Sequence, residues 1–315
     1  MTKKKYVVDA DSVNTRIDSW LALQLAIPRN QIKRLLETND LLVNDRPATS
    51  HYMVKENDFV IIKPKKVVVN DNEDVQKENP KEIFSKIKIV AETDEYVVLN
   101  KPAGLLMHPA SNLKVISLVD WLLEKYPKIR SVGEDPLRPG IMHRLDREVS
   151  GLVVIAKNQT TFDSLKQQFK DRLIKKEYTA LVHGADLPEE GEINFLIERS
   201  SQGYKMAAKP INQTGKTAIT TFTVEKRFHN YTLLKVGIKT GRTHQIRVHF
   251  SAYTHPVVGD DLYTGQKLRA LNKKLNLGRL FLAATKLSFL DQHDEFQTFS
   301  LKLPKELQTF LAQLT

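Results

Sequence analysis

The sequence predicts an α+β protein, a large, mainly antiparallel mixed-sheet domain preceded by a small unit of helices and short strands. Three observations predict it. Strand-like and helix-like segments mix beyond residue 86 without the regular alternation that a doubly wound parallel sheet requires. Two basic stretches flank an acidic one: residues 1–66 carry a net charge of +4, residues 67–85 carry −3, and residues 86–315 carry +10. A chain of 315 residues with 41% hydrophobic content is long enough for two cores. The expected organisation is a small unit over 1–66, a flexible linker over 67–85 and a large domain over 86–315.

In the small unit, Ile17, Trp20, Leu21 and Leu25 follow helical spacing, and Pro28 stops the helix. A second short helix is expected after Asn30, with Ile32, Leu35 and Leu36 on one side and Lys33 and Arg34 on the other. Leu41–Val43 and Phe59–Ile62 read as strands, bounded by Asn39-Asp40, Asn44-Asp45 and Asn57-Asp58 as turns. In the large domain, strands are expected near Ile87–Ala91, Tyr96–Asn100, Leu152–Ala156, Tyr178–His183, Ala218–Val224 and Thr232–Ile238. Helices fit Ser117–Tyr126, Asn158–Asp171, a segment starting near His244, and a last one after Pro304.

Composition narrows the function. A net charge of +11 favours a polyanionic partner. The chain has no cysteine, which excludes disulfides, thiolate metal sites and cysteine catalysis. Met1–Val8 lacks an apolar stretch of signal length, and no run approaches the roughly 18 apolar residues that span a bilayer, so a soluble, cytoplasmic, monomeric protein without a membrane partner is expected.

The best candidate for a reactive centre is His143-Arg144-Leu145-Asp146-Arg147-Glu148, which sets a carboxylate between two arginines just ahead of the apolar run Leu152–Ala156. Anchored by that strand, the loop would hold Asp146 at the edge of the sheet, where it can act as nucleophile or base. The flanking guanidiniums are expected to keep it ionised. Three more segments look over-specified for packing. Val97–Pro109 is a strand that runs into a turn punctuated by Pro, Gly and Pro, with Lys101 and His108 read as structural. In Lys175–Val182 a tyrosine, Tyr178, opens a strand behind two lysines. In Thr240–Phe250, followed by His255–Asp260, Arg247 falls in the first turn of a helix capped by Thr243. A zinc site on His244, His249 and His255 is the weaker reading, because spacings of x4 and x5 match no established signature.

The four segments, in this order, resemble the RluA/RluD-type pseudouridine synthases over roughly residues 86–305. The first unit resembles the α-L RNA-binding domain first known from ribosomal protein S-four, through Arg16-Ile17-Asp18, Arg29 to Arg34, Val43-Asn44-Asp45 and Asn57-Asp58. There Asp45 and Asn57 stand for glycines, and both tolerate left-handed turns. The resemblance implies the pseudouridine synthase fold, with Asp146 as the catalytic residue, Arg144 in nucleotide flipping, Tyr178 stacked on the target base and a candidate proton acceptor, and Arg247 paired with Asp146. It implies that Arg29, Lys33 and Arg34 face phosphate. One position departs from the family: Val149 stands where threonine is usual. The implied reaction breaks a glycosidic bond and remakes it to a ring carbon without redox change, so neither cofactor nor metal is expected. The expected partner is structured RNA, ribosomal RNA of the large subunit before transfer RNA, and DNA is not expected. The competing reading is an RNA-binding ribosome assembly factor without catalysis.

Overall fold

The computed structural model describes residues 4–25, 32, 35–37, 40–62, 80–108, 115–200 and 205–314. The chain divides into two units, Met1–Gln76 and Lys77–Thr315. In the first, strands β1 (Lys4–Val7), β2 (Leu41–Val43), β3 (Arg46–Pro47) and β4 (Phe59–Ile62) form an antiparallel sheet in the order β1-β4-β2-β3. The helix Ile17–Leu25 buries Ile17, Trp20 and Leu21 in a core shared with Ile32, Leu36, Leu41, Val43 and Val60. These are the positions that the apolar spacing selects. Asp45 and Asn57 take left-handed φ values of 62° and 66°, so the two replacements of glycine are accommodated by residues that tolerate this region. Asp58 locks the turns by accepting hydrogen bonds from Asn44 Nδ2 (2.7 Å), Tyr52 Oη (2.9 Å) and the Lys55 N–H (2.8 Å).

The second unit is built on a nine-stranded sheet. Its strands are β5 (Lys88–Glu92), β6 (Tyr96–Lys101), β7 (Ser150–Ala156), β8 (Lys175–His183) and β9 (Glu190–Ile193), then β12 (Thr220–Arg227), β13 (Tyr231–Ile238), β14 (Leu282–Leu290) and β15 (Phe296–Ser300). A separate hairpin pairs β10 (Leu196–Arg199) with β11 (Met206–Lys209). The sheet runs β5-β6-β7-β14-β8-β13-β12-β9, with β15 beside β14, and β7 with β14 is its one parallel pair. Every residue of β7 is buried, which explains its continuous apolar run. At the parallel pair, Gly151 has a φ of +124°, and a Cβ there would meet Ala284 O at 2.2 Å. Only glycine lets β7 enter beside β14.

Two helix starts follow the caps the sequence offers, whereas Gln245–Ala252 starts after a left-handed His244 with no side-chain cap, not from Thr243. Leu118–Lys125 begins after Ser117, whose N–H and hydroxyl both donate to Asp120 Oδ2, at 2.8 and 2.7 Å. Gln159–Lys170 begins after Asn158, whose Oδ1 accepts from the Thr161 N–H at 2.8 Å. Helices Gln245–Ala252, Gln266–Leu275 and Lys305–Ala312 complete the unit. Among the described residues no helix is long and apolar enough to cross a membrane.

The expected linker over 67–85 is corrected at its end. Pro80–Ser85 is helical, and Ile83 and Phe84 pack against the core of the second unit. A single apolar pair in a charged stretch offers too little periodicity to show a six-residue helix, and tertiary burial supplies what the pattern lacks. The remainder of that segment lies outside the described residues.

Candidate active site

The loop carrying Asp146 is pinned on both sides before it enters β7. Gly104 donates its N–H to the Arg147 carbonyl at 2.7 Å, and the Arg147 Nε donates back to the Gly104 carbonyl at 3.1 Å. Lys101, which is fully buried, crosses between the two segments. Its ammonium donates to the carbonyls of Pro102 (2.8 Å), Leu105 (2.9 Å) and Arg147 (3.3 Å). Burial pushes this amine down to about 7, while Asp146 and Glu148 pull it the other way. The lysine of the Pro- and Gly-punctuated turn is thus a structural clamp for the loop, as its sequence context suggests. At the other end, His143 Nε2 accepts the Val154 N–H at 3.0 Å and the ring stacks on Phe169. Desolvation drives His143 down to about 3, so it is a neutral acceptor.

Asp146 faces a cavity of about 320 Å³, a volume suited to one small ligand. Among the described residues, Asp146 is the one carboxylate that lines this cavity, against Arg138, Arg144, Arg172, Lys176, Lys239 and Arg242. Tyr178, the fourth residue of β8, brings a buried ring into the same wall. Burial, and then the negative charge of Asp146, raise its phenol well above the ordinary value, so at neutral pH it carries its proton.

Arg247 comes from the first turn of Gln245–Ala252 and reaches three carboxylates. Its Nε and Nη2 donate to Asp260 Oδ2 and Oδ1 at 2.8 and 3.0 Å, and its Nη1 lies 3.7 Å from Asp146 Oδ2 and 3.5 Å from Glu148 Oε2. The Tyr263 ring lies 5.2 Å from the guanidinium carbon. Burial opposes the charge on Arg247, but Asp260, followed by Asp146 and Glu148, outweighs it and raises its pKa further. Gln245 fixes the approach to this helix. Its Oε1 accepts from the Thr240 hydroxyl (2.7 Å) and the Arg242 N–H (3.0 Å), and its Nε2 donates to Ile219 O (3.0 Å) and Thr220 Oγ1 (3.1 Å). Next to it, His244 adopts a left-handed backbone with a φ of 55° and places Nε2 4.0 Å from Asp146 Oδ1.

A carboxylate held opposite one guanidinium, in a basic cavity with a protonated phenol, is the setting that the four sequence segments imply. Comparison with known proteins shows the family. Residues 95–252 match the model of the family described as RNA pseudouridylate synthase, and residues 15–60 match the S4 domain. The chain belongs to the RNA pseudouridylate synthase family. It is 30% identical to the ribosomal large subunit pseudouridine synthase C of Haemophilus ducreyi, over 98% of this chain and 95% of that protein. It is 42% identical to an uncharacterized RNA pseudouridine synthase of Chloroflexus aurantiacus, over 68% of this chain and 65% of that one. Among solved structures, human RNA pseudouridylate synthase domain containing 1 is similar with a TM-score of 0.57 and 26% identity, covering 70% of this chain and 85% of that one. This pseudouridine synthase is accordingly an isomerase with an RNA-binding first domain.

The synthase's site differs from the sequence reading in three ways. The guanidinium within 4.0 Å of Asp146 is that of Arg247; Arg144 is an exposed part of the cavity wall and Arg147 turns to Gly104. Adjacent residues in an irregular loop need not point the same way. Secondly, the tighter partner of Arg247 is Asp260, which sequence reasoning passed over although the turn Val257–Asp260 was in view. The signal was Gly259, whose φ of +79° and approach to Arg279 O leave no room for a Cβ. Thirdly, the histidines of the zinc reading diverge. His249 Nε2 bonds to Phe195 O (3.2 Å), and His255 bonds to Tyr253 O (2.7 Å) and Asp186 (3.0 Å). Among the described residues no group of three His, Cys, Asp or Glu has a metal-holding arrangement. Arg29, Lys33 and Arg34 lie outside the described residues.

Proposed function

We propose that this pseudouridine synthase isomerises uridines of large-subunit ribosomal RNA, with Asp146 as its catalytic residue and Arg144 filling the space left by the flipped nucleotide. The observation that carries the assignment of Asp146 is that, among the described residues, it alone supplies a carboxylate to the cavity. A hydrolase of glycosidic bonds would set two carboxylates about 5–9.5 Å apart across its substrate. Here the neighbouring Glu148 is half exposed and drawn to Arg247. The reaction breaks the N1–C1′ bond, rotates the uracil and forms C5–C1′, after which a proton leaves C5 and one is placed on N1. Asp146, backed by Arg247, serves this sequence as nucleophile or base, and Tyr178 lies against the ring.

A uridine inside structured RNA reaches such a cavity only when extruded, at a cost of a few kcal/mol. Arg144 is one of the exposed long cations that line the cavity, and the one two residues from Asp146. The names of two relatives that match over nearly the whole chain support ribosomal RNA of the large subunit as the substrate. The deciding experiment maps pseudouridine in total RNA from cells with the gene, without it, and with Asp146→Asn. Loss of specific large-subunit sites in both altered strains is the expected result, with the Asn variant still folded and still binding RNA. Sites restored by the Asn variant would overturn the assignment of Asp146, and losses confined to transfer RNA would overturn the substrate.

A further inference from the structure

His244 plays no part in the mechanism outlined above, yet its ring is tied on one side and faces the carboxylate on the other. Its Nδ1 lies 2.7 Å from the Tyr263 hydroxyl, and the same hydroxyl accepts the Met206 N–H at 3.0 Å. A phenol has one proton to give. With one lone pair taken by Met206, that proton has His244 Nδ1 as its acceptor. The imidazole proton then sits on Nε2, the nitrogen 4.0 Å from Asp146 Oδ1. In the opposite tautomer Tyr263 would accept from both His244 and Met206, its own proton would have no acceptor among the described residues, and a bare nitrogen lone pair would face a carboxylate.

We propose that Tyr263 and His244 form a hydrogen-bond relay that positions Asp146, with the imidazole Nε2–H closing onto Oδ1 when a nucleotide fills the cavity. The inference rests on Asp146 being the catalytic residue. Arg247 approaches the other oxygen, Oδ2, so the carboxylate is held from two sides while its remaining lone pairs face the cavity. Donor distances in an empty site are commonly long and shorten around substrate. Two further features fit. Burial raises the Tyr263 phenol, which keeps the proton it must donate, and burial lowers His244, which keeps the imidazole neutral. The left-handed backbone at residue 244 is a conformation that non-glycine residues adopt only when the surroundings enforce it, and here Gln245 and Tyr263 do so.

The test compares the full-length protein with His244→Ala, His244→Gln and Tyr263→Phe. Pseudouridine formation is followed in single turnover at saturating enzyme on unmodified large-subunit ribosomal RNA transcribed in vitro. Losing a hydrogen bond to a charged group should slow His244→Ala about 10- to 100-fold. His244→Gln, whose amide N–H reaches the place of Nε2–H, should recover most of the rate, and all variants should bind RNA within about twofold of each other. An alanine variant as fast as wild type, or a glutamine variant as slow as alanine, overturns the relay. The tautomer is read independently of any RNA by ¹⁵N NMR of His244: Nε2–H in wild type, with the Nδ1–H form gained in Tyr263→Phe. A wild-type Nδ1–H tautomer would overturn the proposal even if the ribosomal substrate were wrong, whereas loss of turnover in wild type alone would count against that substrate.

Discussion

Replacing Asp260 with asparagine should be among the most damaging single changes outside the cavity itself. The Arg247 side chain is 6% exposed and that of Asp260 is fully buried, so the pair belongs to the regime in which removing one partner leaves a charge without compensation. That typically costs about 3–5 kcal/mol, against about 0–1 kcal/mol for an exposed pair. Asparagine keeps the shape and one carbonyl oxygen for the N–H groups of Leu262 and Tyr263, now held by Asp260 Oδ1 at 2.9 and 3.1 Å. It cannot accept both guanidinium bonds. In a domain of this size each kcal/mol shifts Tm by about 2–4 °C, so a fall of about 6–20 °C is expected in thermal unfolding followed by circular dichroism. Arg247 should also turn towards Asp146 and Glu148, its remaining carboxylates, and slow single-turnover pseudouridine formation at temperatures where the variant is folded. Glu148→Gln is the control, because that side chain is 49% exposed at 3.5 Å from the same guanidinium and should change Tm by less than about 4 °C. A drop of under about 2 °C for Asp260→Asn, with the rate intact, would refute the reasoning that Arg247 is held in place chiefly by Asp260.

Arg247→Ala should slow the chemistry severely, whereas Arg242→Ala, whose exposed side chain donates to Thr217 O, should lower RNA affinity with little effect on Tm; the reverse ranking in single turnover would contradict the assigned geometry. Acid should unfold the protein partly through histidine. His143 and His249 are driven by burial to about 3 and about 4, below the unfolded value, so the unfolded chain takes up protons that the folded one refuses. Stability should therefore fall as pH drops below about 6.5, by up to about 1.4 kcal/mol per pH unit for each histidine until its folded pKa is reached. His143→Gln should flatten that slope in urea titrations, and an unchanged slope would count against a neutral buried His143. Deleting residues 1–76 should weaken RNA binding and reduce its salt dependence more than it lowers the single-turnover rate at saturating enzyme, since every group of the candidate site lies in the second unit. A truncated, folded protein that binds as tightly across a salt titration would exclude that role.

The sequence by itself determined what is local. Apolar spacing set the Ile17–Leu25 and Gln159–Lys170 helices, Asn158 set where the second begins, and the run Leu152–Ala156 announced a strand buried on both faces. It also brought Asp146, Tyr178 and Arg247 forward as a group, and the structure lines one cavity with all three. Only the tertiary structure decided which charges meet. Asp146 is flanked in sequence by two arginines, of which Arg147 turns to Gly104 and Arg144 lines the cavity wall, and the guanidinium within 4.0 Å of it comes from a helix about a hundred residues away. Strand β14, central to the sheet, and the helix Gln266–Leu275 escaped the sequence reading, as did the short helix Pro80–Ser85. The physical reason is common to these cases. Periodicity and capping report the preference of a segment for its own conformation, whereas side-chain pairing, strand neighbours and the burial that moves a pKa depend on residues distant in the chain, which only the packed fold brings within reach.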